Sequence, residues 1–283
     1  MKKIPLLVFV LFCFTTFTLP AQKMGLLWGM TESGGIYGSG VIFNYNMNNY
    51  YDSVVSTFSL DATKPQNSSL LLASDHNYYG MTPSGGQNGK GAIFRYKPNG
   101  KEIMLHNFGE AAPDGTSPYG SLIQASDGNL YGMTYGGGTF GKGTIFKYTL
   151  AGIETVIYNF TGSTGANPYG SLTQAKDGYL YGMTYEGGAN NQGTIFKCST
   201  SGVETVICNL VDSTGGFPHG SLIQGFDSNL YGMTTGGGKY GNGTIFSCKT
   251  TGVKTVLHNF PNLSTDGAVP YGKIGRASCR ERV

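Results

Sequence analysis

The chain has 283 residues, only 12% of them charged, with 46 glycines and a formal net charge of +3. Glycine at this density excludes a predominantly helical fold, because each interior glycine costs a helix about 1 kcal/mol relative to alanine. Five cysteines with no C-x-x-C pair offer no thiolate zinc motif.

At the N-terminus Lys2 and Lys3 precede an uncharged apolar run from Ile4 to about Leu19, followed by Pro20 and Ala21. A positive start, a short apolar core and a small residue at the cut are the layout of a secretory signal peptide. Residues 1–21 are therefore expected to be removed, leaving Gln22 to lead an exported protein. The run is short of the about 20 apolar residues a spanning helix needs, and no second such run follows, so no membrane span is expected after cleavage. Cys13 leaves with this segment. The odd set Cys198, Cys208 and Cys248 then remains in the body of the chain, which is not a complete disulfide framework.

From residue 22 onward one unit recurs. Trp28-Gly-Met-Thr returns as Tyr79-, Tyr131-, Tyr181- and Tyr231-Gly-Met-Thr, at steps of 51, 52, 50 and 50 residues. A second marker, Gly-x-Ile-Phe, begins at Gly40, Gly91, Gly143, Gly193 and Gly243. A third ends in Phe58, Phe108, Phe160, Leu210 and Phe260. Within the third unit, Gly120–Ser126 reads as a strand, Asp127-Gly128 as a hairpin turn, and "NLYGMTY" as a second strand. After the glycine-rich break "GGGTFGKG", "TIFKYT" reads as a third strand and "IETVIYNF" as a fourth, all rich in β-branched and aromatic residues. Four short strands per repeat of about 50 residues predict an all-β fold, a β-propeller of four-stranded blades. Its blades lie near 24–60, 66–110, 118–162, 168–212 and 218–262, giving at least five in a domain spanning 22–272. The first unit is expected to lack its first strand, which a later segment beginning Pro270-Tyr271-Gly272 could supply.

The C-terminus breaks the pattern. Ile274–Val283 packs three arginines into ten residues, whereas residues 22–272 contain only Arg95. Read back into codons, the peptide is spelled by DNA resembling a short-read sequencing adapter. Residues 273–283 are therefore expected to be a non-native tail on a C-terminally truncated reading frame. Without both ends, 13 basic and 15 acidic residues remain. That balance provides no basic field to recruit nucleic acid.

The string "SDGNLYGMTYGGG…GTIFKY" resembles the repeat of the GloVer tandem-repeat family, exported bacterial proteins with varied C-terminal sorting or anchoring domains. More loosely it is similar to kelch repeats and to the "DGNLW-x-GT" repeats of bacterial sensor ectodomains. The resemblance extends from about Leu26 to Gly272. It implies a kelch-like propeller, a secreted or cell-surface location and a molecular role without known catalytic residues.

Individual motifs give little chemistry. "GGGTFGKGT" (136–144) approaches the phosphate-loop pattern, but Gly143 stands where Ser or Thr should hold magnesium, and a strand follows where a helix should begin. Lys142 then reads as a solvated loop charge. Asp75, Asp127, Asp177 and Asp227 share one repeat position and read as turn residues rather than a calcium ring. His106 and His258 read as packed half-polar residues, and Cys198 and Cys248 as small buried substitutes for tyrosine. Glu32, Glu110, Asp114 and Asp212 are scattered non-repeating charges. No catalytic residue, metal site or cofactor is expected.

The most suggestive set is Tyr119, Tyr169, His219 and Tyr271, each following proline where the chain enters an inner strand. They read either as a packing ring between blades or as an aromatic surface for a glycan or a peptide. The functional expectation is an exported, non-catalytic binding module. The alternatives are a carbohydrate-active enzyme, glycosidase or lyase, and a purely structural surface array.

Overall fold

The computed structural model describes residues 26–46, 49–58, 62–63, 65, 68–97, 100, 102–261, 267–272 and 274–275. The segment read as a signal peptide and most of the C-terminal tail lie outside these residues. Five larger antiparallel sheets follow one another along the chain, with two small two-stranded ones between them, Ala62–Thr63 with Ser84–Gly85 and Gly115–Thr116 with Gly136–Gly137. The first has three strands, Leu26–Met30, Val41–Asn46 and Tyr51–Thr57. The next four have four strands each; in the third unit these are Ile123–Gln124, Leu130–Thr134, Thr144–Tyr148 and Glu154–Asn159. Among the described residues this first sheet has one strand fewer than those four. Among the described residues the only helical turn is a 3-10 turn at Asp212–Thr214.

Two of the sequence markers are halves of one contact. Gly132 of "YGMT" lies opposite Phe146 of "GTIF" in the antiparallel register. The phenyl ring covers the glycine, and a Cβ there would come within 2.5 Å of its tip. The same Gly–Phe pairing recurs at Gly29/Phe43, Gly80/Phe94, Gly182/Phe196 and Gly232/Phe246. Successive side chains of "LYGMT" alternate faces. Leu130 packs with Tyr79, Met81 and Phe108 of the preceding unit, while Tyr131 and Met133 pack with Leu172 and Phe196 of the following one. The second, third and fourth sheets are thus buried on both faces, whereas Tyr231, Met233 and Ile245 of the fifth stay half-exposed, and the core is a series of layers between neighbouring units. Burying each such aromatic side chain contributes about 1.5–3 kcal/mol.

The outer strands depart from simple alternation. Ile145 pairs with Tyr158 but Phe146 pairs with Val156, so Ile157 is an unopposed bulge residue; the register shifts likewise in all five sheets. The inner strands are far shorter than the sequence suggested. Only Ile123–Gln124 of the expected Gly120–Ser126 pairs as a strand. The remainder bonds across to the next unit instead.

Those cross-unit bonds form a ladder of serines. The backbone N–H of Ser69 donates to Ser121 Oγ, that of Ser121 to Ser171 Oγ, and that of Ser171 to Ser221 Oγ, each at 2.7 Å. At the far end of the same strands, Gln124, Gln174 and Gln224 accept from the backbone N–H of Ser74, Ser126 and Lys176 at 2.8–2.9 Å. The units approach so closely here that a Cβ on Gly170 would collide with the Gly220 carbonyl oxygen. Inner-strand residues of four successive units, with Ile274 and Gly275, line one channel of about 480 Å3.

Candidate functional site

The four aromatics singled out in the sequence form a continuous arc beside the serine ladder. Ring centroids lie 5.0 Å apart for Tyr119 and Tyr169, 4.4 Å for Tyr169 and His219, and 4.8 Å for His219 and Tyr271. Tyr119, Tyr169 and His219 are half-buried, whereas Tyr271 is 68% exposed. Each ring touches the ring of the next unit, which is the packing expectation, and together they still present a surface.

Local backbone aims these rings. Ser117, Asn167, Phe217 and Val269, two residues before each aromatic, hold φ between 50 and 57°. Left-handed backbone is unfavourable for such side chains, particularly β-branched Val269. It is held by cross-loop bonds, in which the four N–H groups donate to the carbonyls of Lys90, Lys142, Gln192 and Asn242 at 2.7–2.9 Å. The following prolines, Pro118, Pro168, Pro218 and Pro270, then cover Gly91, Gly143, Gly193 and Gly243.

Sequence reasoning missed a second row. Tyr135 and Tyr185, directly after the "YGMT" strands, and Phe217 extend the arc. Tyr135 lies 4.8 Å from Tyr169, Tyr185 4.6 Å from His219, and Phe217 5.5 Å from Tyr185. The signal was present in "YGMTY", which units three and four share but the others do not. Burial first, then the neighbouring Tyr135, pushes the Tyr169 phenol well above its usual range, and burial pulls His219 below its ordinary value. Both shifts favour the uncharged forms of Tyr169 and His219. It borders a cavity of about 200 Å3 whose lining includes Tyr169, His219, Tyr271, Ser121, Ser171 and Ser221. Ser171 and Ser221 accept bonds with their oxygens, leaving hydroxyl protons that can be donated to a ligand.

The repeated aspartates are structural. Tyr131 Oη donates to Asp127 Oδ2 at 2.6 Å, and Asn129 N–H to Asp127 Oδ1 at 3.1 Å; Asp75, Asp177 and Asp227 make the equivalent bonds. The "GGGTFGKG" break is likewise a connector. Asn159 Oδ1 accepts the Thr139 N–H at 2.8 Å, and the chain passes into the strand Thr144–Tyr148 rather than a helix. Lys142 is exposed, and Cys198 and Cys248 are fully buried.

A second cluster unites residues that the sequence scatters. His106 and Asp114 of unit two face Glu154 of unit three in an open cavity of about 400 Å3 that Glu110 also lines. Asp114 was read as an isolated charge; the fold places its Oδ1 3.4 Å from His106 Nε2. Burial opposes the charge on His106, but the bond and charge of Asp114 outweigh it and raise its pKa.

Comparison with known proteins agrees with this architecture. The model of the Gloeobacter/Verrucomicrobia repeat family matches residues 16–176 and 103–280, and the chain belongs to that family. No curated protein matches the sequence. Among solved structures, the extracellular domain of the hybrid two-component system BT3049 of B. thetaiotaomicron superposes with a TM-score of 0.59 at 13% identity, over 90% of this chain and 30% of that one. The periplasmic gluconolactonase PpgL of Pseudomonas aeruginosa gives 0.53 at 17%, over 82% and 66%. A gluconolactonase of Xanthomonas campestris gives 0.52 at 11%, over 86% and 77%. The chain is thus similar in fold to propeller-like repeat domains and spans less than a third of the sensor ectodomain's length.

Proposed function

We propose that the chain is an exported, non-catalytic binding module, curved as a propeller of at least five blades, whose aromatic arc engages a neutral, hydroxyl-rich ligand of the glycan class. The observation that carries this reading is the arc itself: Tyr119, Tyr169, His219 and Tyr271 in ring-to-ring contact beside a row of serine hydroxyls. Flat aromatic faces stack on the C–H faces of sugar rings, while hydroxyls at their rim fix orientation. A lining without lysine, arginine or carboxylates also suits an uncharged partner better than a phosphate or an acidic peptide. The extracellular and periplasmic settings of the BT3049 and PpgL domains support an extracytoplasmic location. Among the described residues no helix is long and apolar enough to cross a membrane.

A glycan array probed with the full chain tests the reading. Binding is expected, and Tyr169→Ala and His219→Ala are each expected to weaken it at least tenfold while the far-ultraviolet dichroism stays that of a β-sheet protein. Absence of binding to glycans and to cell-envelope extracts would sink it. The second reading, an enzyme, draws on the shared fold of the gluconolactonases, which does not by itself define chemistry. Reproducible turnover of lactones or polysaccharides would establish it.

A further inference from the structure

The junctions of units two with three, three with four and four with five build the same niche from three positions: one on an outer strand, one in the loop that follows, and one at the start of the next outer strand. Between units three and four these are Tyr158, Thr164 and Glu204. Tyr158 Oη donates to Thr164 Oγ1 at 2.8 Å, so the niche is closed by its own hydroxyls, and Glu204 sits beside Tyr158. Between units four and five they are Cys208, Thr214 and Lys254, and the Lys254 ammonium donates to the Thr214 carbonyl and, at 3.3 Å, to its hydroxyl. Between units two and three they are His106, Asp114 and Glu154. Repetition supplies the niche, and only this junction fills it with an imidazole and two carboxylates.

The geometry of this junction suits a cation better than an ion pair. His106 Nε2 and Asp114 Oδ1 stand 3.4 Å apart, longer than a good hydrogen bond. Metal–ligand bonds of about 2.0–2.2 Å set the ligand-to-ligand edge of a tetrahedron at about 3.3–3.6 Å. One ligand atom from each of His106, Asp114 and Glu154 lies within 4.8 Å of the other two, and this is the group of three such residues so drawn together among the described residues. The other oxygen of Asp114 accepts the N–H of Gly109 at 2.6 Å and of Glu110 at 3.3 Å. Outer bonds of this kind hold a ligating carboxylate in orientation. The His106 ring is braced edge-on against Phe108, with centroids 4.8 Å apart. Glu154 Oε1 is buried without a hydrogen-bond partner. Glu204 Oε1 is unpartnered too, but it faces hydroxyls and has no nitrogen ligand beside it.

We propose that His106 Nε2, Asp114 Oδ1 and a Glu154 carboxylate oxygen bind a zinc-class divalent cation, joining the outer strands of units two and three. Three protein ligands leave a fourth position, which opens to the cavity beside Glu110 and Pro113. The imidazole selects against calcium and magnesium, which prefer all-oxygen sets.

Titration calorimetry of the chelator-treated full chain with ZnCl2, together with the thermal midpoint and the visible spectrum with CoCl2, tests the site. One Zn2+ per chain, a raised midpoint and the intense visible bands of four-coordinate Co2+ are expected, with no midpoint shift from CaCl2. His106→Gln and the nearly isosteric Glu154→Gln should each weaken Zn2+ binding at least tenfold, while His258→Gln, at the equivalent strand position of unit five, should leave it unchanged. No binding, binding that survives both junction substitutions, or a cobalt–thiolate charge-transfer band pointing to Cys208 and Cys248 would overturn the proposal.

Discussion

Replacing Ala92 by threonine should stabilise the protein. In units three, four and five, the last threonine of "YGMT" shares a bond with the threonine opposite it: Thr134 with Thr144 at 2.9 Å, Thr184 with Thr194 at 2.9 Å, and Thr234 with Thr244 at 3.0 Å. All six are fully buried. In unit two Thr82 faces Ala92, and its Oγ1 is buried with no partner. An unpartnered buried hydroxyl costs about 1–3 kcal/mol, and a restored bond returns about 1 kcal/mol net. Space for the new side chain lies over Gly86, where the Thr144 methyl sits over Gly138 in unit three. Ala92→Thr should therefore raise Tm by about 2–4 °C for a chain of this size, read by circular dichroism and checked by urea unfolding with an unchanged m value. Thr134→Val, which orphans Thr144 Oγ1, should lower Tm by at least as much. A lowered Tm for Ala92→Thr together with a neutral Thr134→Val would refute the reasoning.

One further outcome follows from the junctions. Burial, only partly offset by the Tyr158 hydroxyl, pushes Glu204 from its ordinary 4.5 up to about 7. The folded state then holds a proton that the unfolded chain releases, so this group's stabilisation is full below pH 4.5 and is lost as pH rises through about 7. Glu204→Gln should reduce the fall in Tm across that interval; identical slopes for variant and parent would contradict it.

The architecture was legible because it repeats. A glycine facing a phenylalanine is a local feature that the sequence states five times, and a step of about 50 residues and a turn before the second strand are stated four times each. The aromatic arc was legible for the same reason, at Tyr119, Tyr169, His219 and Tyr271, although Tyr135 and Tyr185 were overlooked because they recur in only two units. What sequence periodicity could not show depends on how one unit meets the next. Ile157 breaks the alternation through a bulge that no residue type announces. The inner strands shorten because their polar groups bond to a neighbouring unit. Asp114 meets Glu154, 40 positions later, only because the outer strand of one sheet lies against the next. The asparagine before each third marker illustrates the limit: Asn107, Asn159, Asn209 and Asn259 each accept an N–H from the glycine-rich connector of their own unit at 2.8–3.0 Å. In the sequence they were only punctuation.

The serine ladder also bears on how such a chain can change length. Every joint hands the same bond from one position to its counterpart 50 or 52 residues on. The joint is head-to-tail, so deleting or duplicating one whole unit leaves a joint identical to those that remain. A crossover between misaligned copies of the gene segment would thus produce a longer or shorter array with every serine still matched. Small length differences are absorbed in the loops, since the 52-residue step from Ser69 to Ser121 keeps the same 2.7 Å bond as the 50-residue steps. Selection acting on the joint alone would keep the serine in its place in each unit while leaving the number of copies free to drift.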